Sequence, residues 1–174
     1  DRLPTWVASR DFEGRCCEYK DICPSPIEHG YRNKCEFTVG RDKEGKVSVG
    51  FRLGSFGDTL VVAKPNECTV CPPDVLNACE SFNSFIVESP FLPYDYITHK
   101  GVWRQMTAKF SSSTKHMMII LMVNIDIANP PSKWIEEVEK LKEWFKKDRD
   151  ENIWKSFFIQ YYRCLRSEKF FFCY

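Results

Sequence analysis

Two stretches of the sequence, Tyr31–Gly40 and Val47–Gly54, alternate apolar and polar residues with a period of two. Cys35, Phe37 and Val39 hold the apolar positions of the first. Val47, Val49, Phe51 and Leu53 hold those of the second. This alternation marks strands buried on one face only. Between them, Arg41-Asp42-Lys43-Glu44-Gly45 is short, polar and ends on glycine, as a hairpin loop does. The even positions then share the opposite face: Arg32, Lys34 and Glu36 on one strand and Arg52 on the other. Guanidinium and ammonium groups fixed on a sheet face can grip phosphates, in the manner of positioning contacts to nucleic acid.

The rest of the chain supplies what such a hairpin must pack against. Thr59–Ala63 reads as a short third strand. Pro72-Pro73-Asp74 opens a helix, where proline fits the first turn, and Val75, Cys79, Phe82 and Ile86 fall on one face of it. Val102–Phe110 alternates. Val102, Met106, Ala108 and Phe110 are expected to face one way with Arg104 among them, and Trp103, Gln105, Thr107 and Lys109 the other. Met117–Val123 is apolar throughout, as in a strand buried on both faces. A second helix follows Asn129 or Ser132 and runs to about Lys147, with Trp134, Val138, Leu141 and Phe145 inward. Ile153–Tyr162 is the last expected strand, with an edge left uncovered. The order predicts an α+β fold of one domain, a mainly antiparallel sheet with two helices packed on one face. Residues 1–30 form a lead-in, 31–162 the domain and 163–174 a tail.

Composition narrows the function only weakly. A net charge of +1 does not announce nucleic-acid binding, so an RNA-facing surface must be a local patch. The longest apolar run, Met117–Val123, is far short of the roughly 20 residues that span a bilayer. Nine cysteines make full pairing within the chain impossible. Reduced, mostly buried thiols in a reducing compartment are the expectation. Cys68-Thr69-Val70-Cys71 has the spacing of a zinc or redox pair, but no second C-x-x-C accompanies it. His29, His99 and His116 are scattered.

The wording PSPIEHGYRNKCEFTVG followed by VSVGFRLG resembles the central domain of the tRNA uracil-5-methyltransferases, the animal type-2 homologues above all. The resemblance runs from about Leu3 to about Tyr162 and includes Cys16-Cys17 and Trp103-Arg104-Gln105. It implies a family that uses S-adenosylmethionine to methylate C5 of a tRNA uridine. A cysteine adds to C6 of the base, and a general base removes the C5 proton. It also implies tRNA as partner, through the T-loop region, and RNA contacts by Arg32, Lys34, Arg52 and Arg104. The family's donor-binding domain, with nucleophile and base, is expected after the Phe157–Tyr162 strand, whereas this sequence ends at Tyr174 in a stretch unlike the family. The expectation is a fragment that is inactive alone and carries no catalytic, cofactor-binding or metal-binding residue, in the cytosol or nucleus rather than the mitochondrion. No membrane and no metal partner is expected. Two other readings stay open: a stand-alone RNA-binding or protein-interaction module, and a small metal-stabilised domain built on Cys68 and Cys71.

Overall fold

A computed structural model describes residues 17–54, 60–147, 153–163 and 166–173, together with position 5; for 147, 163 and 166–173 the backbone alone is described. The elements are β1 (Lys34–Arg41), β2 (Val47–Leu53), β3 (Val61–Ala63), α1 (Pro73–Glu88), β4 (Trp103–Phe110), β5 (Met117–Val123), α2 (Trp134–Lys147), β6 (Trp154–Arg163) and β7 (Arg166–Cys173). The strands form one sheet in the order β2-β3-β1-β4-β5-β6-β7. Most neighbours are antiparallel; β1 and β3 run parallel, as do β5 and β6, and α2 provides the crossover between the latter two. Thr59, Cys16 and half of the lead-in lie outside the described residues.

Both helices cover one face. Val75, Cys79, Phe82 and Ile86 of α1 are buried, as are Trp134, Val138, Leu141 and Phe145 of α2. They meet at an aromatic cluster in which Phe82 and Phe85 pack edge-on against Trp103 and tilt against Trp144. Trp144 also donates its indole N–H to Ser81 Oγ at 2.7 Å. The polar rim of this cluster is satisfied. Trp103 Nε1–H donates to Ser89 Oγ at 3.0 Å, and the Ser89 hydroxyl donates to the buried Glu137 carboxylate. An unpaired carboxylate at that depth would cost several kcal/mol, on the order of 3 to 5.

Three expectations are corrected. First, alternation fails in β2. Ser48 and Gly50 are buried, Phe51 is half-buried and Leu53 is exposed. The cause is that β2 divides its pairing: residues 47–50 pair with β1, and 51–53 pair with β3. Since Arg41 of β1 also pairs with Val61 of β3, this end of the sheet curls on itself. Gly50 permits the close approach, because a Cβ there would lie 2.0 Å from Ala63 O. Second, β6 is not an edge. Residues 158–161 pair with β7, in the segment to which the sequence assigned no element.

Third, Trp103 and Arg104 exchange their expected sides. Trp103 pairs with Val123 and Gln105 with Met122, so Arg104 is an extra residue with no rung of its own. A β-bulge of this kind resets the alternation. Trp103 therefore enters the helix-covered core, where it is 1% exposed, and Arg104 leaves it.

Candidate nucleic-acid interface

The face of the sheet away from the helices is built in rungs. Register places Lys34 beside Lys109, Lys109 beside Met118 and Met118 beside Ser156. The next rung on that face is Glu36, Thr107, Ile120 and Phe158, and the third is Thr38, Gln105, Met122 and Gln160. Cross-strand partners point the same way, so these side chains share one surface. Its middle is half-buried and apolar along β5, where Met118, Ile120 and Met122 alternate with the fully buried Ile119 and Leu121. Its two ends carry the cations.

At the Lys34 end lies a groove of about 560 Å³ lined by Asn33, Lys34, Lys109, His116, Lys155 and Ser156, with Phe110, Met117 and Met118 as its apolar lining. Among the described residues no carboxylate lines it. Lys155 reaches the groove by a second bulge: Met117 pairs with Trp154 and Met118 with Ser156, which leaves Lys155 as the extra residue of β6. Lys34 is held by Glu36 at 2.6 Å, a half-exposed pair that stabilises little and exchanges readily for another anion.

At the other end Arg104 lies between two aromatic faces. Its guanidinium carbon is 4.2 Å from the ring centroid of Tyr94, 4.2 Å from that of Tyr162 and 5.1 Å from that of Tyr96. Arg52 stands 5.6 Å over Tyr96. Nε and Nη1 of Arg104 are buried with no hydrogen-bond partner among the described residues, and the ring faces offset the buried charge. A cavity of about 160 Å³ beside this array is lined by Arg41, Arg52, Tyr94, Asp95, Tyr96 and Ile97. Asp95 is turned into its own loop. The Ile97 N–H, the Thr98 hydroxyl and the Thr98 N–H hold its carboxyl below the usual carboxylate range. The loop is pinned to β4 by Tyr94 N–H to Trp103 O at 2.7 Å and by Val102 N–H to Leu92 O at 2.8 Å.

Of the four residues singled out by the sequence, the structure brings Arg52 and Arg104 together at one end and puts Lys34 at the other. Arg32 is exposed ahead of β1 and stands apart from both. Lys109 and Lys155 were not singled out. Lys109 has the right parity, but only the register shows that it adjoins Lys34, and no pattern in the sequence marks the bulge at Lys155. Among the described residues no group of three or more His, Cys, Asp or Glu is arranged to hold a metal ion, and no helix is long and apolar enough to cross a membrane.

No model of a known protein family matches the chain. Individual proteins do. Over 143 residues, 80% of the chain, it is 37% identical to the mouse tRNA (uracil-5-)-methyltransferase homolog A, and over 120 residues it is 38% identical to the human one. The chain is a relative of the tRNA (uracil-5-)-methyltransferases. A zinc finger CCCH domain-containing protein of Arabidopsis thaliana is 42% identical over 109 residues, 62% of the chain. The chain spans 14%, 22% and 19% of the length of the Arabidopsis, mouse and human relatives, so it corresponds to about a fifth of such proteins. The fold has a solved counterpart in the Pyrococcus abyssi tRNA (uracil-54, C5)-methyltransferase, crystallised with S-adenosyl-L-homocysteine. The match has a TM-score of 0.57 at 19% identity and covers 86% of this chain and 31% of that one.

Proposed function

We propose that this chain is the RNA-facing domain of an S-adenosylmethionine-dependent tRNA uridine-C5 methyltransferase, and that it holds the T-loop region while the base is methylated elsewhere in the enzyme. The observation that carries this reading is the pair of bulges: each interrupts a strand to deliver a cation, Arg104 or Lys155, to the same helix-free face. Lysines at the groove supply phosphate contacts, which position RNA without reading its sequence. The Arg52–Tyr96–Arg104–Tyr94 array offers ring faces and guanidinium planes, surfaces on which unstacked bases lie in single-stranded RNA recognition.

The described residues do not form a cradle for the methyl donor. Such cradles use a glycine-rich turn into a helix N-terminus. Here α1 opens on Pro72-Pro73 without a side-chain cap, and α2 follows Pro130-Pro131. No methyl-transfer step is assigned to these residues, and the chain alone is expected not to methylate RNA. We place the protein in the cytosol or nucleus; the six cysteines whose side chains are described, all free, support that placement, and imaging of the tagged protein tests it.

Binding of unmodified tRNA over a salt series tests the RNA reading. Lys109→Ala combined with Lys155→Ala is expected to weaken binding about tenfold near physiological salt and to lower the salt slope by about 2. An unchanged affinity and slope would sink the reading. Binding of an unrelated protein partner in place of tRNA would favour the interaction-module alternative.

A further inference from the structure

Three thiols that the RNA-binding reading does not use stand in a row from the surface inward. Cys68 is half-buried and lines an open cleft of about 410 Å³ with His29, Gly30, Glu67, Thr69 and Leu76. Its Sγ is 3.4 Å from that of Cys71, which is buried, and Cys71 Sγ is 3.3 Å from that of the fully buried Cys35. A disulfide bond is about 2.05 Å long, so either pairing closes by an approach of little more than an ångström. Two segments meet there: Cys35 lies on β1, and Cys68 and Cys71 lie in one turn just ahead of α1, closed by Cys71 N–H to Cys68 O at 3.3 Å. The chain on either side is already tied by backbone hydrogen bonds, Gly30 N–H to Thr69 O at 2.9 Å and Arg32 N–H to Val70 O at 3.0 Å.

We propose that Cys68, Cys71 and Cys35 form a dithiol–disulfide site in which Cys71 is shared between two pairings, and that its substrate is a small disulfide such as oxidised glutathione. Cys68 is the entry thiol because, of the two cysteines that line the cleft, it is half-buried and Cys71 is buried. Its thiolate attacks one sulfur of glutathione disulfide; that S–S bond breaks, a mixed disulfide forms on Cys68 and one glutathione leaves. Cys71 then gives up its proton and attacks Cys68 Sγ, and the second glutathione leaves. The protein dithiol is oxidised by two electrons, and one glutathione disulfide becomes two glutathione thiols. Cys35 can next attack Cys71 Sγ and release Cys68 as a thiolate. This moves the bond inward without further oxidation and staples β1 to the start of α1. Burial pushes both the Cys35 and Cys71 thiols up, so neither is the thiol that meets the disulfide first. The inference does not depend on RNA binding.

Intact mass and peptide mapping of the full chain, reduced and then exposed to oxidised glutathione, decide it. The expected product has lost two hydrogens within the Cys35, Cys68 and Cys71 peptides, carries no glutathione on Cys68 and returns to the thiol form with reductant. In Cys71→Ser the Cys68 adduct persists and accumulates at least about tenfold over wild type, because the resolving thiol is gone. In Cys35→Ser the Cys68–Cys71 bond still forms. A lasting glutathione adduct on Cys68 of the wild-type chain would overturn the proposal. So would a disulfide drawing on Cys17 or Cys23 in place of Cys71, or one zinc per chain that blocks the three thiols. The wild-type measurement stands alone if either variant fails to fold.

Discussion

Gly101→Ala is expected to lower the melting temperature by about 10 °C and to weaken tRNA binding in the folded fraction that remains. Gly101 has φ +93°, and a Cβ added there would lie 2.0 Å from the carbonyl oxygen of Pro93 and 3.0 Å from Tyr94 Cα. Backbone atoms cannot swing aside as a side-chain tip can. Backbone strain at such a φ costs about 1 to 3 kcal/mol and overpacking costs a similar amount, so a loss of about 3 kcal/mol or more follows. The effect reaches the interface because relieving the overlap means moving the strand of loop that holds Tyr94 over Arg104. Gly54→Ala is the control. It shares the positive φ, at +86°, but a Cβ there meets nothing within 4 Å among the described residues. Differential scanning calorimetry of the two variants separates strain from overlap, and equal losses would show that the Pro93 approach is not what requires glycine.

The other large effect is at Trp103. Trp103→Ala is expected to cost about 3 to 5 kcal/mol, because it removes the largest fully buried side chain among the described residues. The indole packs against Phe82, Phe85 and Trp134 at once, so the cavity is walled by rings that belong to both helices and cannot collapse around one of them. Trp103→Phe keeps much of that contact and removes the N–H donated to Ser89 Oγ, a loss of about 1 kcal/mol plus the smaller ring's void. Urea denaturation read by circular dichroism distinguishes the two. If Trp103→Ala unfolds at nearly the wild-type midpoint, Trp103 is not the keystone of the two-helix packing.

Much of this architecture was legible in the sequence. Helical spacing identified all eight of the inward residues it named on α1 and α2, because an amphipathic helix needs no long-range information to choose its buried side. Strand alternation identified Cys35, Phe37 and Val39 for the same reason. It failed at Ser48, Gly50, Trp103 and Arg104. At each, the side that a residue takes depends on what the neighbouring strand does: a partner changed midway along β2, and a rung skipped in β4. The interface was half legible. Arg52 and Arg104 were named and do meet, but they meet through Tyr94 and Tyr96 of a loop that no periodicity describes. Lys155 stayed hidden because it is an added residue that follows no pattern. The final strand, β7, stayed hidden because Arg166–Cys173 runs from a polar half into three consecutive phenylalanines and does not alternate.

The two bulges also bear on how such a surface is acquired or lost. In an ordinary strand, removing one residue turns every later side chain to the wrong face. At position 104 or 155 the reverse holds. Trp103 and Gln105 already occupy adjacent rungs against Val123 and Met122, so deleting Arg104 would leave a regular ladder with every remaining residue on its present side. The same holds for Lys155 between Trp154 and Ser156. Each cation is thus a detachable unit: a single-codon insertion or deletion adds or subtracts one positive charge from the open face while the core behind it keeps its sequence and its register.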